Sequence, residues 1–385
     1  MDRVEEIAFA FPRGTHQEVF IEGVLRFARE AGRDWSYLTA PETLSLSVLD
    51  LIGWPGDGVL AALNKPAEVE VAARLKPPVV NISSALATPS VPTSVVDNEA
   101  IGRLAAQHLL AKGFRTCAFY GLESVRYSAD RQRGFEQALA AADAPCASFH
   151  AAPTFGLEGS GWMKQHEALA EWLAELPDCC GLMAVSDYRA RQALDACRRI
   201  GRRVPDGLAV VGVDNEQVIC EHSNPPLSSV SRNDELEGYR AAALLDALMR
   251  GQATDRQPPP VAPIEVVERA STATYAVLDS RLRAAMQYLH ENLGDPITVD
   301  ELTEHAGVSR RWLEYAFREA VGETPYQYLR RQRLMSAKRW LAEDRSLKVY
   351  EVARRCGFTS AKQLAAAFQQ EFGLSPREWR GAQTR

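Results

Sequence analysis

No apolar run in the chain approaches the roughly 20 residues that a membrane span needs. The opening MDRVEEIAFAFPRG has two acids and only a very short apolar core, so it is not expected to act as a secretory signal. Seven cysteines form no CxxC pair, and two of them, Cys179 and Cys180, are adjacent. Thiols used in this way fit a reducing cytosol, where they act as small buried apolar groups. The seven histidines include no HExxH and no Cys/His cluster, so no metal is expected. There is no P-loop and no GxSxG, and the glycine-rich GWPGDG at 53–58 lacks GxGxxG spacing and reads as a turn. Nothing here motivates turnover, so the expectation is a non-enzyme without cofactor.

At 385 residues the chain needs two or three hydrophobic cores. The formal net charge of −6 hides an asymmetry. Residues 281–385 carry 18 Lys+Arg against 13 Asp+Glu, a net +5, which leaves −11 on residues 1–280. A basic tail on an acidic body suggests that one part meets a polyanion and the other does not. Charge alone leaves solvated helix faces as an equal reading.

Residues 1–270 alternate short apolar strands with amphipathic helices. IAFAF, DGVLAAL, PVVNIS, RTCAFYG, CGLMAVSD, LAVVGVD, LSSVSR and APIEVVER read as strands. VFIEGVLRFARE, IGRLAAQHLLAKG, RQRGFEQALAAA and YRARQALDACRRIG read as helices between them. Continuous apolar strands imply parallel sheets covered on both faces. There are about twice as many βα units as one Rossmann-like domain uses, so two doubly wound lobes are expected. From Ser280 onward the strand pattern stops and the chain reads as helices and short turns. The expected organisation is a body at 1–272, a linker at 273–279 and an all-α tail at 280–385.

The tail repeats itself. GVSRRWLEYAFREAVGETPYQYL at 307–329 returns as GFTSAKQLAAAFQQEFGLSPREWR at 357–380. Leu313 and Leu364, Phe317 and Phe368, Gly322 and Gly373, and Pro325 and Pro376 all match in register. Each copy reads as helix, glycine turn, helix, with the two units near 298–319 and 348–370. Gly307 and Gly357 suit the left-handed turn that stops the first helix. Ser309, and Thr359 or Ser360, suit the N-cap of the second. The i, i+4 pairs Leu313/Phe317 and Leu364/Phe368 bury that second helix. This leaves Arg310, Arg311, Glu314 and Tyr315 facing outward in the first copy. In the second copy Ala361, Lys362, Gln363, Ala365 and Ala366 face outward. A helix over Tyr326–Glu343 would join the units rigidly. Two recognition helices on one connector can enter successive major grooves about 34 Å apart. Arg330, Arg331, Arg333, Lys338, Arg377 and Arg380 are candidates for phosphate, each as readily a solvated face.

Residues 281–385 resemble the AraC/XylS-type DNA-binding domain, through the GF turn, the helix with Phe in its last turn, F-G-x-S-P and the closing aromatic-Arg. The resemblance implies a double-stranded DNA operator, with the two outward sets above as base-reading residues. The second set is small and nearly neutral. Apolar contact with thymine methyls, or contact mainly with backbone, is the expectation there.

In the body, polar residues that end strands are the ones to inspect, because a ligand in a doubly wound fold sits at the carboxyl ends of strands. Asp187 follows CGLMAVS, Asp214 ends LAVVGVD before Asn215, and Arg131 begins RQRGFEQAL. Carboxylates and a guanidinium on one cleft suit vicinal hydroxyls, which both donate and accept. Trp162 or a Phe would supply a flat apolar face for a sugar ring. Each Asp taken singly is equally a helix N-cap. Residues 1–270 resemble the periplasmic-binding-protein-like effector domain of LacI/GalR-type repressors. R-x-x-G-F at 131–135, V-S-D at 185–187 and G-V-D-N at 212–215 fall where that family contacts its sugar, with Ser186 where members often carry Asn. The two resemblances together imply an activator gated by a small sugar, D-xylose first, with RNA polymerase a further candidate partner. The cytoplasm is expected from the thiols, and a homodimer because one tail reads too few bases. A DNA-binding regulator with a non-sugar effector, one whose body is only a scaffold, an α/β enzyme and a solute-binding protein remain as alternatives.

Overall fold

The computed structural model describes residues 4–12, 15–40, 45–87, 90–153, 161–274, 279–343 and 347–382. The chain divides into two compact units, Met1–Ala273 and Thr274–Arg385. The expected linker at 273–279 falls largely on 275–278, outside the described residues. Among the described residues no helix is long and apolar enough to cross a membrane.

The first unit runs β1 (Glu5–Ala10), α1 (Thr15–Glu30), β2 (Trp35–Leu38), β3 (Gly58–Ala61), α2 (Pro66–Ala72), β4 (Val79–Asn81) and α3 (Asn98–Ala111). It continues with β5 (Cys117–Leu122), α4 (Arg126–Ala140), β6 (Cys146–Ala151), α5 (Gly161–Glu175), β7 (Cys180–Ala184), α6 (Asp187–Ile200), β8 (Leu208–Val213) and α7 (Gln217–His222). Then come β9 (Ser228–Ser231), α8 (Asp234–Met249), β10 (Glu265–Val267) and a 3-10 turn at Ala270–Thr272. Among the described residues, four strands in the order β2-β1-β3-β4 form one sheet, and six in the order β10-β9-β8-β7-β5-β6 form another. Pairings within the first sheet are parallel. So are those of the second from β9 to β6. The last strand departs from the expected all-parallel pattern, since β10 runs antiparallel to β9. It reaches the sheet edge without a crossover helix after α8, so no βαβ rule fixes its direction.

Complete burial makes the central strands. CAFYGL (β5) and LAVVGV (β8) are buried at all six positions each, as strands covered on both faces must be. Phe20, Val24, Ala28, Ala241 and Leu245 join α1 and α8 over the first sheet. Leu169, Leu173, Ala190, Ala193 and Leu194 bring α5 and α6 onto the second. The lobes meet at crossing segments tied side by side. Val261 N donates to Val95 O and Asp97 N to Val261 O (2.9 and 2.8 Å), and Ile264 N donates to Ser231 O (2.9 Å).

Within each lobe one helix pair crosses closely through reciprocal glycines. A Cβ on Gly102 of α3 would stand 2.0 Å from Arg131 O, and one on Gly134 of α4 would stand 2.0 Å from Glu99 O. In the other lobe a Cβ on Gly23 of α1 would stand 1.9 Å from Glu235 O, and one on Gly238 of α8 would stand 1.9 Å from Phe20 O. Backbone touches backbone at both crossings, so only glycine fits.

The second unit is helical: α9 (Ser280–Glu291), α10 (Val299–Ala306), α11 (Arg310–Val321), α12 (Pro325–Glu343), α13 (Val349–Arg355), α14 (Ala361–Phe372) and α15 (Pro376–Ala382). It has two cores. Leu282, Met286, Leu289, Leu302, Leu313 and Phe317 form the first around Tyr328 and Leu329 of α12. Val352, Ala353, Leu364 and Phe368 form the second around Leu334, Ala337 and Leu341 of the same helix.

Candidate functional site

A cleft of about 470 Å³ opens between the lobes of the first unit. Its walls are the residues just past the carboxyl ends of strands. Phe11 follows β1, Ala62 follows β3, Ile82 and Ser83 follow β4, Ser186 follows β7, Asp214 follows β8 and Arg232 follows β9. Tyr127 and Arg131 of α4, Tyr188 and Arg189 of α6, and Asn98, Asp234 and Glu237 near the crossing segments complete it.

A buried chain of charges lines the floor. Arg131, 3% exposed, donates from Nε to Asn98 Oδ1 (2.9 Å) and from Nη1 to Val185 O. Its Nη2 lies 3.7 Å from Asp214 Oδ1. The guanidinium sits over the Tyr127 ring at 5.2 Å, a cation–π contact. Arg232 reaches Asp214 Oδ1 from Nη1 at 3.4 Å, and its Nη2 lies 2.9 Å from both Asp234 Oδ1 and Glu237 Oε2. Burial pulls the Arg131 pKa down against the opposing charge of Asp214. Burial acts the same way on Arg232, but Asp234, Glu237 and Asp214 outweigh it and raise that group. Asp214 is held loosely, at 3.4 and 3.7 Å, between two guanidiniums. It keeps acceptor capacity facing the cleft. Its backbone and that of Asn215 take positive φ, 105° and 52°, so this turn is strained at the site.

The structure separates the two aspartates read from strand ends. Asp214 lines the cleft and Asp187 does not. Asp187 is fully buried beneath it, where Oδ1 accepts from Ser229 Oγ (2.6 Å) and Oδ2 from Glu216 N (2.8 Å) and Cys220 Sγ (3.3 Å). Burial and the charge of Asp214 push its carboxyl up to about 7, despite these donors. Its geometry is that of a staple under the β8–α7 turn. Ser186 lines the cleft, but its hydroxyl is engaged as the N-cap of α6, accepting from Arg189 N at 3.4 Å. Asn215 does not line the cleft, and its N–H donates to Ser229 Oγ (3.0 Å). Trp162 falls in α5, and its side chain lies outside the described residues. Among the described residues the aromatic wall is formed by Phe11 and Phe20, edge to face at 5.7 Å.

Sequence reading missed Arg232, Arg189, Asn98, Asp234 and Glu237. One signal was present. Arg232 ends the strand LSSVSR and meets acids two and five residues on, at the start of a helix. A buried ion cluster at a strand-to-helix turn is what that spacing builds here.

In the second unit both turns have the expected chemistry. Gly307 (φ 63°) ends α10 and Gly357 (φ 71°) follows α13. Ser309 Oγ accepts from Trp312 N (3.3 Å) and Ser360 Oγ from Gln363 N (3.1 Å). Thr359 is not the cap, since its N–H and hydroxyl both donate to Gln363 Oε1 (2.9 Å). On α11, Arg310, Arg311 and Tyr315 are exposed and Glu314 is half-exposed, 3.3 Å from Arg310 Nε. On α14, Lys362, Gln363 and Ala366 are exposed, and Ala361 and Ala365 half-exposed.

The basic candidates divide. Arg377 is exposed. Arg330 donates to Gln370 Oε1 (2.6 Å), and Arg331 to Glu323 Oε1 (2.9 Å). Lys338 Nζ lies 4.4 Å from the centre of the Trp379 ring. Arg333 is turned inward onto backbone carbonyls.

Comparison with known proteins agrees with both halves. Residues 106–272 match the periplasmic binding protein-like domain, and 302–382 match a helix-turn-helix domain. The xylose operon regulatory protein of Escherichia coli (strain K12) is 30% identical over 369 residues, covering 94% of this chain and 92% of the relative. That of Haemophilus influenzae is 32% identical over 76% of this chain and 75% of its own length. The solved structure of a xylose-binding transcription activator superposes with a TM-score of 0.63 at 28% identity, covering 99% of each chain. With two helix-turn-helix units in the tail, a two-lobed body before it and this likeness along nearly the whole length, the chain belongs to the family of the xylose operon regulatory proteins.

Proposed function

We propose that the first unit binds a small sugar, D-xylose before other pentoses, and that the second binds double-stranded DNA as an activator under that sugar's control. The observation that carries the reading is the Arg131–Asp214–Arg232 chain at the strand ends, opposite Phe11 and Phe20. A sugar presents vicinal hydroxyls that donate and accept at once. Asp214 accepts from a pair of them while the flanking guanidiniums donate, and the phenyl wall covers the ring's apolar face. The likeness to xylose operon regulatory proteins and to a xylose-binding transcription activator supports xylose and activation.

On this reading Arg310, Arg311, Glu314 and Tyr315 read one groove segment. Ala361, Lys362, Gln363, Ala365 and Ala366 lie against the next. Arg330, Arg331 and Arg377 serve the phosphates between. Gln363 contributes mainly its amide nitrogen, because its oxygen is taken by Thr359. A sugar shifts DNA affinity only through its differential affinity for two states of the body. A homodimer follows from selectivity, since one tail contacts few base pairs against a genome of competing sites. The working protein is then a cytoplasmic dimer, with RNA polymerase as a further partner.

The test is DNA affinity of the full chain at fixed salt, with and without D-xylose. The reading predicts a sugar-dependent change that vanishes in the Arg131→Ala, Asp214→Ala double variant while basal DNA binding persists. A sugar response retained in that variant would remove the site assignment.

A further inference from the structure

The connector α12 changes allegiance in mid-helix. Tyr328 and Leu329 belong to the first core of the tail, and Leu334, Ala337 and Leu341 to the second. Arg333 stands at the seam between them. Its Nε donates to Leu293 O (2.9 Å) and its Nη2 to Asp295 O (2.5 Å), both in the loop that leaves α9. Both acceptors are neutral carbonyls just past a helix C-terminus, where a cation is favoured. The same guanidinium lies against the second unit. A Cβ on Gly357 would stand 2.6 Å from Arg333 Nε and 2.5 Å from Leu293 O. Across the seam, a Cβ on Gly294 would stand 2.8 Å from Arg355 O. Backbone from the loop after α9 and backbone from the turn after α13 therefore approach each other with Arg333 between.

Two of the three guanidinium nitrogens of Arg333 are held by backbone carbonyls of the loop after α9. Its neighbours on α12 hold other partners, Arg331 pairing with Glu323 and Arg330 with Gln370.

We propose that Arg333, seated between Gly294 and Gly357, is the positioning residue that fixes the distance and rotation between the two DNA-reading helices. It thereby sets the spacing between the two boxes of each half-site. The proposal rests on the reading that both helices enter DNA. One inserted base pair turns the second box by about 34° and moves it about 3.4 Å along the axis. A rigid seam cannot follow that change and a loosened one can.

The experiment selects duplexes from a random DNA library with the full-length protein, its Arg333→Met variant and its Gly294→Ala variant. The Gly294→Ala variant wedges the same seam with Arg333 intact. Selected duplexes are then remeasured with one base pair added or removed between boxes, over a range of salt. The wild type is expected to select two boxes at one spacing and to lose at least about tenfold in affinity for a one-pair change, the scale of a mismatched base pair. Both variants are expected to select the same box sequences at several spacings, with that penalty falling below about threefold on the same scale. Their salt dependence should match the wild type, because no phosphate contact has been removed.

A single unchanged spacing in Arg333→Met, with the salt slope lower by about 0.9, would make Arg333 a phosphate contact and overturn the proposal. An unchanged spacing in Gly294→Ala would overturn the role of the seam. Should Arg333→Met fail to fold, Arg333→Lys, which loses the planar fork but keeps the charge, carries the same two readouts. Failure of the wild type to select any two-box sequence would instead remove the DNA-reading assignment beneath the proposal.

Discussion

His108 shows how much a single side chain in this body depends on its neighbours. It lies on α3, with Nε2 at 2.9 Å from Thr272 Oγ1, near the Lys112–Glu268 pair. Burial and then the Lys112 charge pull its pKa down to about 4, with Glu268 opposing. The unfolded chain takes up the proton near pH 6.5, before the folded one does. Stability from this residue is therefore complete above about pH 6.5 and is lost as pH falls toward 4. Substituting His108→Gln should flatten that part of the profile by an amount on the order of 1–3 kcal/mol, discounted for the water the half-buried ring still meets. Urea unfolding of both proteins at pH 5 and pH 7.5 checks it, and parallel profiles would refute it. Asp187 carries a different expectation. Replacing it by Ala leaves Glu216 N and Ser229 Oγ without their acceptor. The loss should be about 2–4 kcal/mol, read as a lower unfolding midpoint of the first unit.

At the scale of elements, what could be read in advance follows the local chemistry. The two helix-turn-helix units were legible because glycine, serine cap and i, i+4 apolar pairs are short-range devices, repeated in register. The long apolar strands were legible for the same reason. The strands β2 and β6 were not, because WSYL is only four residues and CASFHA is mostly half-exposed or exposed. The helix α8 escaped because its buried face mixes Gly238, Ala241 and Ala242 with the acids Asp234, Glu237 and Asp246, and only Leu244 and Leu245 on it are large apolar residues. Hydrophobic periodicity does not register small residues or buried acids neutralised by an arginine at the preceding strand end. Half of the cleft floor went unread for that reason, since Arg232 read as a strand end. Gly134 of the R-x-x-G-F motif has a purely steric role. It lets α4 touch α3, and so positions Arg131 one turn earlier. Gly134→Ala would press a methyl onto Glu99 O, costing about 1–3 kcal/mol as overpacking does. It should also weaken sugar affinity, because the Arg131 backbone must move. Thermal unfolding with and without sugar separates the two effects, and an unchanged midpoint would contradict the close crossing.

For the whole molecule, the division of charge matches the division of labour. The acidic body repels DNA while the tail, net +5, is drawn to it. DNA binding by the full chain should therefore weaken steeply with salt, each phosphate contact contributing about −0.9 to the slope of log K against log salt. A flat slope would reduce the repeat to a packing motif. Sugar sensing by the body is read by thermal unfolding of the full chain with D-xylose, L-arabinose, D-ribose and D-glucose at millimolar concentration. A ligand at about 100 times its Kd adds roughly 2.7 kcal/mol to the state that binds it. A body that binds D-xylose shows an upward shift of its transition with that sugar, smaller or absent with the others, and lost in Asp214→Ala. No shift with any of the four sugars would contradict sugar sensing.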